Sequence, residues 1–396
     1  MPGSVIVAGA RTPIGKLMGS LSTLSAVDLG AHAIRAALAA TPLDPGAVQA
    51  VVMGHVVQAG AGPNSARQAA VRAGIPFSVP ASTVNKLCLS GLHAIALADL
   101  MIASGRHEVV VAGGMESMSG APHLLRGSRS GWTYGAAAVE DALDRDALVC
   151  AFDGVSMGAA TERHQQPFAL TRQDQDEYSA LSHQRATRAQ QSGALSQEIA
   201  PVTVAGRRGE TVVDSDEGVR PESTAETLGR LRPAFSGAGT ITAGNSSQLS
   251  DGAAAVVVMS AERARREGLT PLAEIGAYGT VAGPDPSLLV QPAGAVRDAL
   301  DRDGRLKVAD LDLFEINEAF AGVALASLRE LDIPPAKVNI NGGAIALGHP
   351  VGMTGARLVL TLATELRRRG GGSGAAALCG GGGQGDALLL HVPTQA

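Results

Sequence analysis

Two cysteines and a histidine stand in glycine-rich turns of a kind found at reactive sites. Cys88 lies in TVNKLCLSG, Cys379 opens CGGGGQG, and His349 lies in NGGAIALGHPVGMTG. Two thiols and an imidazole are the groups needed for covalent acyl transfer combined with proton transfer at carbon. The glycines permit close approach of the backbone to a ligand. These segments therefore predict a nucleophile, a general base and a second acid/base thiol.

The residues around Cys88 predict a strand, a loop and a helix. VPASTVN indicates a strand that runs into a loop, and residues 86–105 have apolar residues at helical spacing up to a glycine. We expect Cys88 in the first helical turn, where the helix dipole and free N–H groups would lower the pKa of the thiol. The alternative is a buried structural thiol, since most free cysteines are of that kind.

The other two candidate groups each follow an apolar strand. KVNINGG precedes His349, which lies between Gly348 and Pro350 in a rigid turn suited to a general base. Most histidines have structural or surface roles, and the glycines nearby distinguish this one. Cys379 ends the predicted strand GAAALC, and the glycines after it leave amide N–H groups free to face an anion.

Asn317 and Glu318 form a polar pair between the strand DLDLFEI and the apolar pattern AFAGVALASL. Their position predicts a helix start, with simple capping as the alternative to a role in the site.

Together these segments resemble the thiolase family over essentially the whole chain. The resemblance implies that His349 takes the proton of Cys88, which becomes acylated, and that Cys379 deprotonates a second acetyl-CoA. It implies one oxyanion hole from the N–H groups of Cys88 and Gly381, and another from His349 with a water held by Asn317. The implied reaction is condensation of two acetyl-CoA to acetoacetyl-CoA, with thiolysis as its reverse.

The resemblance also implies substrate-binding residues where a motif matches. TAGNSSQLSDGAA is similar to the thiolase segment whose serine and leucine line the pantetheine tunnel, here Ser247 and Leu249. Arg220 aligns with an arginine near the adenine and phosphates, and Met157 with a methionine of the acyl pocket. Thr227 stands where some members have serine. GGMESMSG is a further family signature, to which we assign a structural role under the site.

Three alternatives remain open at this level. Ser156 stands where acetoacetyl-CoA thiolases often have histidine, so a broad-range 3-ketoacyl-CoA thiolase of fatty-acid degradation is the first. The second is a ketoacyl synthase, although such enzymes pair the cysteine with two histidines, or with a histidine and an asparagine, and lack the cysteine of CGGGGQG. The third is a non-catalytic binding protein of this fold, which would be expected to have lost a thiol or His349.

Composition bounds the class of protein. The chain has 396 residues, 45% of them hydrophobic, which suggests two or three units at ~150 residues per domain. Its formal charge of −5, without a basic stripe, argues against nucleic acid as a partner. The start MPGSVIVAGARTPIG is unlike a secretory signal, and the longest apolar run, AAAVVVM, is too short to span a membrane, so a cytoplasmic location is expected.

Cysteine usage fits the same location. Cys88, Cys150 and Cys379 are far apart and odd in number, which argues against disulfides and a zinc site. We interpret Cys150 as structural, since no motif surrounds it.

Two similar ends enclose a different middle. TVNKLCLSG corresponds in position to VNINGGAIALGHP, and EVVVAGG to GAAALCGGG, which indicates a weak internal duplication. We therefore divide the chain into α/β halves at 1–118 and 251–396 and a polar, turn-rich loop domain at 119–250. The thiolase resemblance implies two packed mixed five-stranded sheets, a loop domain that covers coenzyme A and makes homotetramer contacts, and no permanently bound cofactor, coenzyme A thioesters being substrates.

Overall fold

The computed structural model describes residues 3–207 and 209–394, which form an α/β fold. Its strands are β1 Ser4–Arg11, β2 Gly15–Lys16, β3 Ala50–Gly54, β4 Ala81–Val84, β5 Val109–Ser117, β6 His123–Leu124, β7 Glu140–Asp141, β8 Val202–Gly206, β9 Gly209–Val213, β10 Ser250–Ser260, β11 Ala273–Ala282, β12 Leu313–Ile316, β13 Gly372–Gly380 and β14 Gln384–Val392. Its α-helices are α1 Ala26–Ala39, α2 Ser65–Arg72, α3 Ser90–Ala103, α4 Met157–His164, α5 Arg172–Gln191, α6 Ala225–Gly229, α7 Ala261–Arg266, α8 Gln291–Asp303, α9 Ala321–Leu331, α10 Ala344–Leu347 and α11 Val351–Arg368.

The sheet has the strand order β12-β13-β14-β11-β1-β10-β5-β3-β4, with β2 attached to β10. In the first half, β3 is parallel to β4 and β5, and β10 is antiparallel to β5 and β1. In the second half, β12 is parallel to β13, and β14 is antiparallel to β13 and β11. The two halves therefore repeat one topology, which confirms the duplicated α/β class predicted from the sequence.

The strand count of the second half differs from the prediction of five. Among its described residues it has four strands, and Val338 forms an isolated parallel bridge to Phe314 where β4 lies in the first half. Asn339 ends the extended backbone there because it takes a left-handed conformation at φ 46°. Its side chain bonds the N–H and C=O of Ile316 at 2.8 and 2.7 Å, in place of a further strand.

The two half-sheets are also continuous rather than separate. Val5 of β1 pairs with Glu274 of β11, and Ile6 with Ala273. This short antiparallel contact joins the halves edge to edge. By its hydrogen bonds, the predicted pair of packed sheets is therefore one sheet, in which two residue pairs connect the two halves.

The middle of the chain forms a smaller body of short elements. Strands β6 to β9 and helices α4 to α6 all fall within residues 119–250. Strand β10 begins at Ser250 but lies between β1 and β5, so it completes the sheet of the first half. The predicted boundary at 250 therefore assigns β10 to the second half of the fold, although its hydrogen bonds place it in the first. Sequence order does not show which strands pair.

Helices α3 and α11 occupy equivalent positions in the two halves and cross at close range. A Cβ atom at Gly91 would lie 2.7 Å from the Ala356 nitrogen, and one at Gly355 would lie 2.3 Å from the Leu92 nitrogen. Such a separation requires glycine on both helices, since real Cβ contacts do not become that short. The crossing brings the beginnings of the two helices together, and Cys88 and His349 each precede their helix by two residues.

Candidate active site

Cys88 lies in a tight turn before α3. Leu87 has φ 53°, and the N–H groups of Leu89 and Ser90 donate to the carbonyls of Lys86 and Leu87 at 3.2 and 3.0 Å. The Ser90 hydroxyl adds a bond to the Leu87 carbonyl at 2.6 Å. Since α3 begins at Ser90, the prediction that Cys88 lies in the first helical turn was wrong: Cys88 precedes the helix by two residues.

The environment of the Cys88 thiol also corrects the predicted direction of its pKa. Burial raises the pKa to about 11, N–H groups of Cys88 and Gly381 pull it down, and the charge of Glu116 raises it further. Desolvation thus outweighs the backbone dipoles. The free protein holds Cys88 as a thiol, so a base must remove its proton when it reacts.

His349 is held in a defined tautomer. Its Nδ1 lies 2.6 Å from the Thr354 hydroxyl, and that hydroxyl donates to the Pro350 carbonyl at 2.9 Å. Because the Thr354 proton is used on Pro350, Nδ1 must be the donor to Thr354, which leaves Nε2 unprotonated and able to act as an acceptor. The backbone N–H of His349 donates to the Gln248 carbonyl at 2.9 Å. Thr354 was missed by sequence reasoning, and its only signal is its place one turn into the helix after His349.

The imidazole is neutral. Burial, and then the charge of Arg357, lower the pKa of His349 to about 3. Neutral Nε2 can accept a proton, which is the state required of a general base.

This depressed pKa has a consequence for stability. Unfolded histidine binds a proton near pH 6.5, so between about pH 6.5 and 3 the unfolded chain binds more protons than the folded one. The free energy of unfolding must therefore fall as the pH drops through that window. We expect His349→Gln to lose about 2 kcal/mol less than the wild type between pH 7 and pH 5 in urea titrations. Exposed His123 supplies the control; an equal acid sensitivity of His349→Gln and wild type would contradict the assignment.

Cys379 lies at the end of β13 and is buried. Burial, and then the neighbouring Cys88, raise the pKa of its thiol. The glycine loop that follows returns toward Cys88, since the Gly381 N–H stabilises the Cys88 thiolate. The two thiols and this N–H group therefore lie close together.

Asn317 follows β12 and is fully buried beside the histidine. Its Nδ2 lies 3.4 Å from His349 Nε2, and its Oδ1 has no hydrogen-bond partner among the described residues. A buried amide oxygen without a partner is a position that a water or ligand donor can fill. Its neighbour Glu318 is not a helix cap; it accepts from Tyr178, Ser182 and Asn339 in the core.

GGMESMSG lies under the start of α11. Buried Glu116 accepts from the N–H groups of Gly352 and Val56 at 3.0 and 3.1 Å, and lies 3.3 Å from His55 Nε2. A Cβ at Gly114 would lie 1.9 Å from the Gly352 oxygen. This segment therefore fixes the backbone that follows His349.

Two of the predicted binding residues lie at this centre. Met157 contacts the glycine loop so closely that a Cβ at Gly381 would lie 2.5 Å from its Cε. Leu249 packs on the apolar cluster that Cys88 also contacts. The Ser247 N–H donates to the carbonyl of Ala319 at 3.0 Å, two residues after Asn317 in sequence.

The other predicted binding residues lie on the surface. Arg220 is exposed, and its backbone N–H donates to His183 Nδ1 at 3.2 Å. Thr227 is exposed too, and its hydroxyl accepts from the Thr224 N–H at 2.9 Å in a capping box of α6. Ser156 caps α4 by accepting from the Ala159 N–H at 3.2 Å, so this departure from the family pattern has a local structural role.

Within residues 3–207 and 209–394, no α-helix is long and apolar enough to cross a bilayer. Across the same residues, no group of three or more histidine, cysteine or acidic side chains could hold a metal ion.

A duplicated α/β fold that places a thiol and an imidazole before its two central helices defines a thiolase-type acyltransferase. Residues 4–262 match the family model "Thiolase, N-terminal domain", and residues 269–392 match "Thiolase, C-terminal domain". The chain is an enzyme that belongs to the thiolase family.

Named relatives cover nearly the whole chain. It is 57% identical over 387 residues to the "Probable acetyl-CoA acetyltransferase" of Mycolicibacterium smegmatis, covering 98% of this chain and 100% of that protein. It is 46% identical over 364 residues to the "Probable acetyl-CoA acyltransferase" of Staphylococcus aureus, covering 91% and 92%. The crystal structure of the Bacillus anthracis acetyl-CoA acetyltransferase matches with a TM-score of 0.96 at 40% identity and 99% coverage of both chains.

Proposed function

We propose that this enzyme condenses two acetyl-CoA to acetoacetyl-CoA and coenzyme A, and catalyses the reverse thiolysis, through an acetyl group on Cys88. The observation that carries the proposal is the meeting of Cys88, Cys379 and the Gly381 N–H group, with neutral His349 two residues before the helix that crosses α3 at close range. Relatives named acetyl-CoA acetyltransferase support the substrate.

In the first half-reaction, His349 Nε2 takes the Cys88 proton as the sulfur attacks the thioester carbonyl. The tetrahedral oxyanion accepts from the N–H groups of Cys88 and Gly381, the groups that already stabilise the thiolate. The carbon–sulfur bond to coenzyme A then breaks, and the proton on His349 passes to the leaving thiolate.

In the second half-reaction, Cys379 gives its proton to His349 Nε2 and, as a thiolate, takes a proton from the methyl group of another acetyl-CoA. The protonated Nε2 of His349 and a water on Asn317 Oδ1 donate to the enolate oxygen, a role that fits the unpartnered amide oxygen. The carbanion attacks the acetyl-Cys88 carbonyl, a carbon–carbon bond forms, and the Cys88 sulfur leaves as a thiolate that takes the proton from His349. Thiolysis follows the same steps in reverse.

Coenzyme A thioesters enter only as substrates in this proposal, and no permanently bound cofactor takes part. Met157 and Leu249 line the acyl and pantetheine path, with Ser247 beside it, and the exposed guanidinium of Arg220 faces the nucleotide phosphates. A contact of Thr227 with the nucleotide would come from its position in the capping box at the start of α6.

We also propose which segment covers this path, how the enzyme assembles and where it is located. Residues 119–249 form the cover, and they carry large exposed apolar side chains that suit contacts in a homotetramer: Leu125, Trp132, Tyr134, Val139 and Phe152. Three free cysteines and the absence of nucleic-acid features suit a cytoplasmic enzyme.

The length of the acyl chain is the point at which a second candidate enters. Ser156 is smaller than the histidine of many acetoacetyl-CoA thiolases, which favours the broad-range 3-ketoacyl-CoA thiolase as the alternative. Against it, Met157 fills the space at Gly381, so a longer chain would have to displace that side chain.

We expect kcat/KM for thiolysis to fall from acetoacetyl-CoA to the C8 substrate. Met157→Ala should raise the C8 to C4 ratio of kcat/KM about tenfold, because two or more methylenes gain space at ~0.8 kcal/mol each. Met101→Ala, on α3 and away from the loop after Cys379, is the matched control. A steady rise of wild-type kcat/KM from C4 to C8 would assign the protein to the broad-range thiolases instead.

A further inference from the structure

Lys86, two residues before Cys88, reaches into the second half of the sheet. Its ammonium donates to Asp386 Oδ1 at 2.7 Å, to the Thr280 hydroxyl at 3.1 Å and to the Tyr278 hydroxyl at 3.2 Å. A lysine ammonium has three donors, so each of its N–H groups has an acceptor here. The Lys86 side chain is 20% exposed and that of Asp386 is 0% exposed, which places this ion pair inside the protein.

Asp386 lies on the strand that pairs with the strand of the second thiol. On β14 it pairs with Leu378 of β13, and the next pair along the ladder joins Gly385 to Cys379. Because successive side chains alternate between faces, the Asp386 carboxylate lies on the opposite face of the sheet from Cys379. On its other side Asp386 pairs with Thr280 of β11, whose hydroxyl donates to Asp386 at 2.8 Å. The ion pair therefore holds the backbone of three strands one ladder step from Cys379.

The other end of the ion pair belongs to the turn that carries the nucleophile. The Lys86 N–H donates to the Ser90 hydroxyl at 2.8 Å, and the Lys86 carbonyl accepts from the Leu89 N–H at 3.2 Å. These bonds close the turn around Cys88. A contact between residues 300 apart in sequence thus ties the Cys88 turn to the strand ladder of Cys379.

We propose that the Lys86–Asp386 ion pair is a positioning device that sets the separation of Cys88 and Cys379 for carbon–carbon bond formation. The inference rests on the proposed roles of the two thiols. Acylation needs Cys88 and His349, which the α3–α11 crossing and Glu116 hold together without this pair. Condensation also requires that the strands around Cys379 hold its thiol at the correct distance from Cys88. A misplacement of about 1 Å is enough to reduce a rate ~100-fold.

The test compares the two half-reactions in Lys86→Met and Asp386→Asn. We expect the rate at which acetyl-CoA acetylates Cys88, measured by intact-mass spectrometry, to stay within about threefold of wild type. The kcat for condensation should fall about 100-fold while KM for acetyl-CoA changes little, because the loss is one of alignment. Lys86→Arg keeps the charge and the carboxylate contact, and it should recover about tenfold of the lost kcat.

Glu365→Gln is the matched control for breaking a buried ion pair. Glu365 bonds Arg368 and Arg369 near the far end of α11, about 20 Å from its start at 1.5 Å per residue. Condensation within about threefold of wild type in both Lys86→Met and Asp386→Asn would overturn the inference. So would an equal loss in both half-reactions, or the same selective loss in Glu365→Gln. Failure of the wild type to acetylate Cys88 would contradict the proposed function itself.

Discussion

Replacing Cys88 with alanine should lower kcat for acetoacetyl-CoA thiolysis by about 10³-fold or more, since no other group can form the acyl-enzyme. Alanine fits the turn, whose hydrogen bonds are made by the backbone and by Ser90, so the fold should persist. Steady-state kinetics on protein with a wild-type thermal unfolding curve provide the measurement. A variant with more than a tenth of wild-type kcat would rule Cys88 out as the nucleophile.

Mass analysis locates the acyl group directly. After incubation with acetyl-CoA, the wild type should gain one acetyl group, and peptide analysis should place it on Cys88. Cys150→Ala is the matched control, because Cys150 is a buried thiol whose sulfur accepts from the local Asp153 N–H at 3.5 Å. Label on Cys379 or Cys150 would contradict the assignment.

The chemistry of the site could be predicted from the sequence because its signals are local. A cysteine or histidine in a segment that contains glycine and is followed by an apolar helical pattern marks the turn of a strand–turn–helix unit. The same signal at Cys88 and at His349 also predicted the duplication, which β3-β5-β10-β1 and β12-β13-β14-β11 confirm.

The residues that position these groups could not be predicted in this way, because they act across long sequence distances. Glu116 supports the backbone at Gly352, 236 residues later, and Lys86 meets Asp386 across 300 residues. The pairing of β10 with β1 and β5 likewise depends on the tertiary fold. A sequence pattern specifies which face of an element is buried, but it does not specify which residue that face will contact. Such contacts are visible in the folded structure.

The pKa of Cys88 shows the same limit. A helix start lowers a thiol pKa when the thiol is solvated, and the sequence suggested that case. In the folded protein, the desolvation by surrounding apolar residues is larger and raises the pKa to about 11. Burial by distant segments is a tertiary property, so its sign could not be read from the turn alone.

Replacing Cys379 with alanine should separate the two half-reactions. Acetylation of Cys88 should stay within about threefold of wild type, while condensation and the exchange of solvent deuterium into the methyl group of acetyl-CoA fall about 10²- to 10⁴-fold. Intact mass measures the first quantity, and NMR of acetyl-CoA in deuterated solvent measures the second. Cys150→Ala should leave both unchanged.

The order of these steps follows from the electrostatics of the two thiols. Negative charge on Cys88 raises the pKa of Cys379, so the two cannot ionise together in this buried site. Acetylation keeps the Cys88 sulfur from ionising, so this repulsion cannot arise when Cys379 has to act as a base at carbon. In Cys88→Ser, the hydroxyl at position 88 stays neutral where a thiol would ionise. At high pH, iodoacetamide should therefore alkylate Cys379 faster in this variant than in the wild type. If Cys379→Ala exchanged the methyl protons at the wild-type rate, another base would have to be sought.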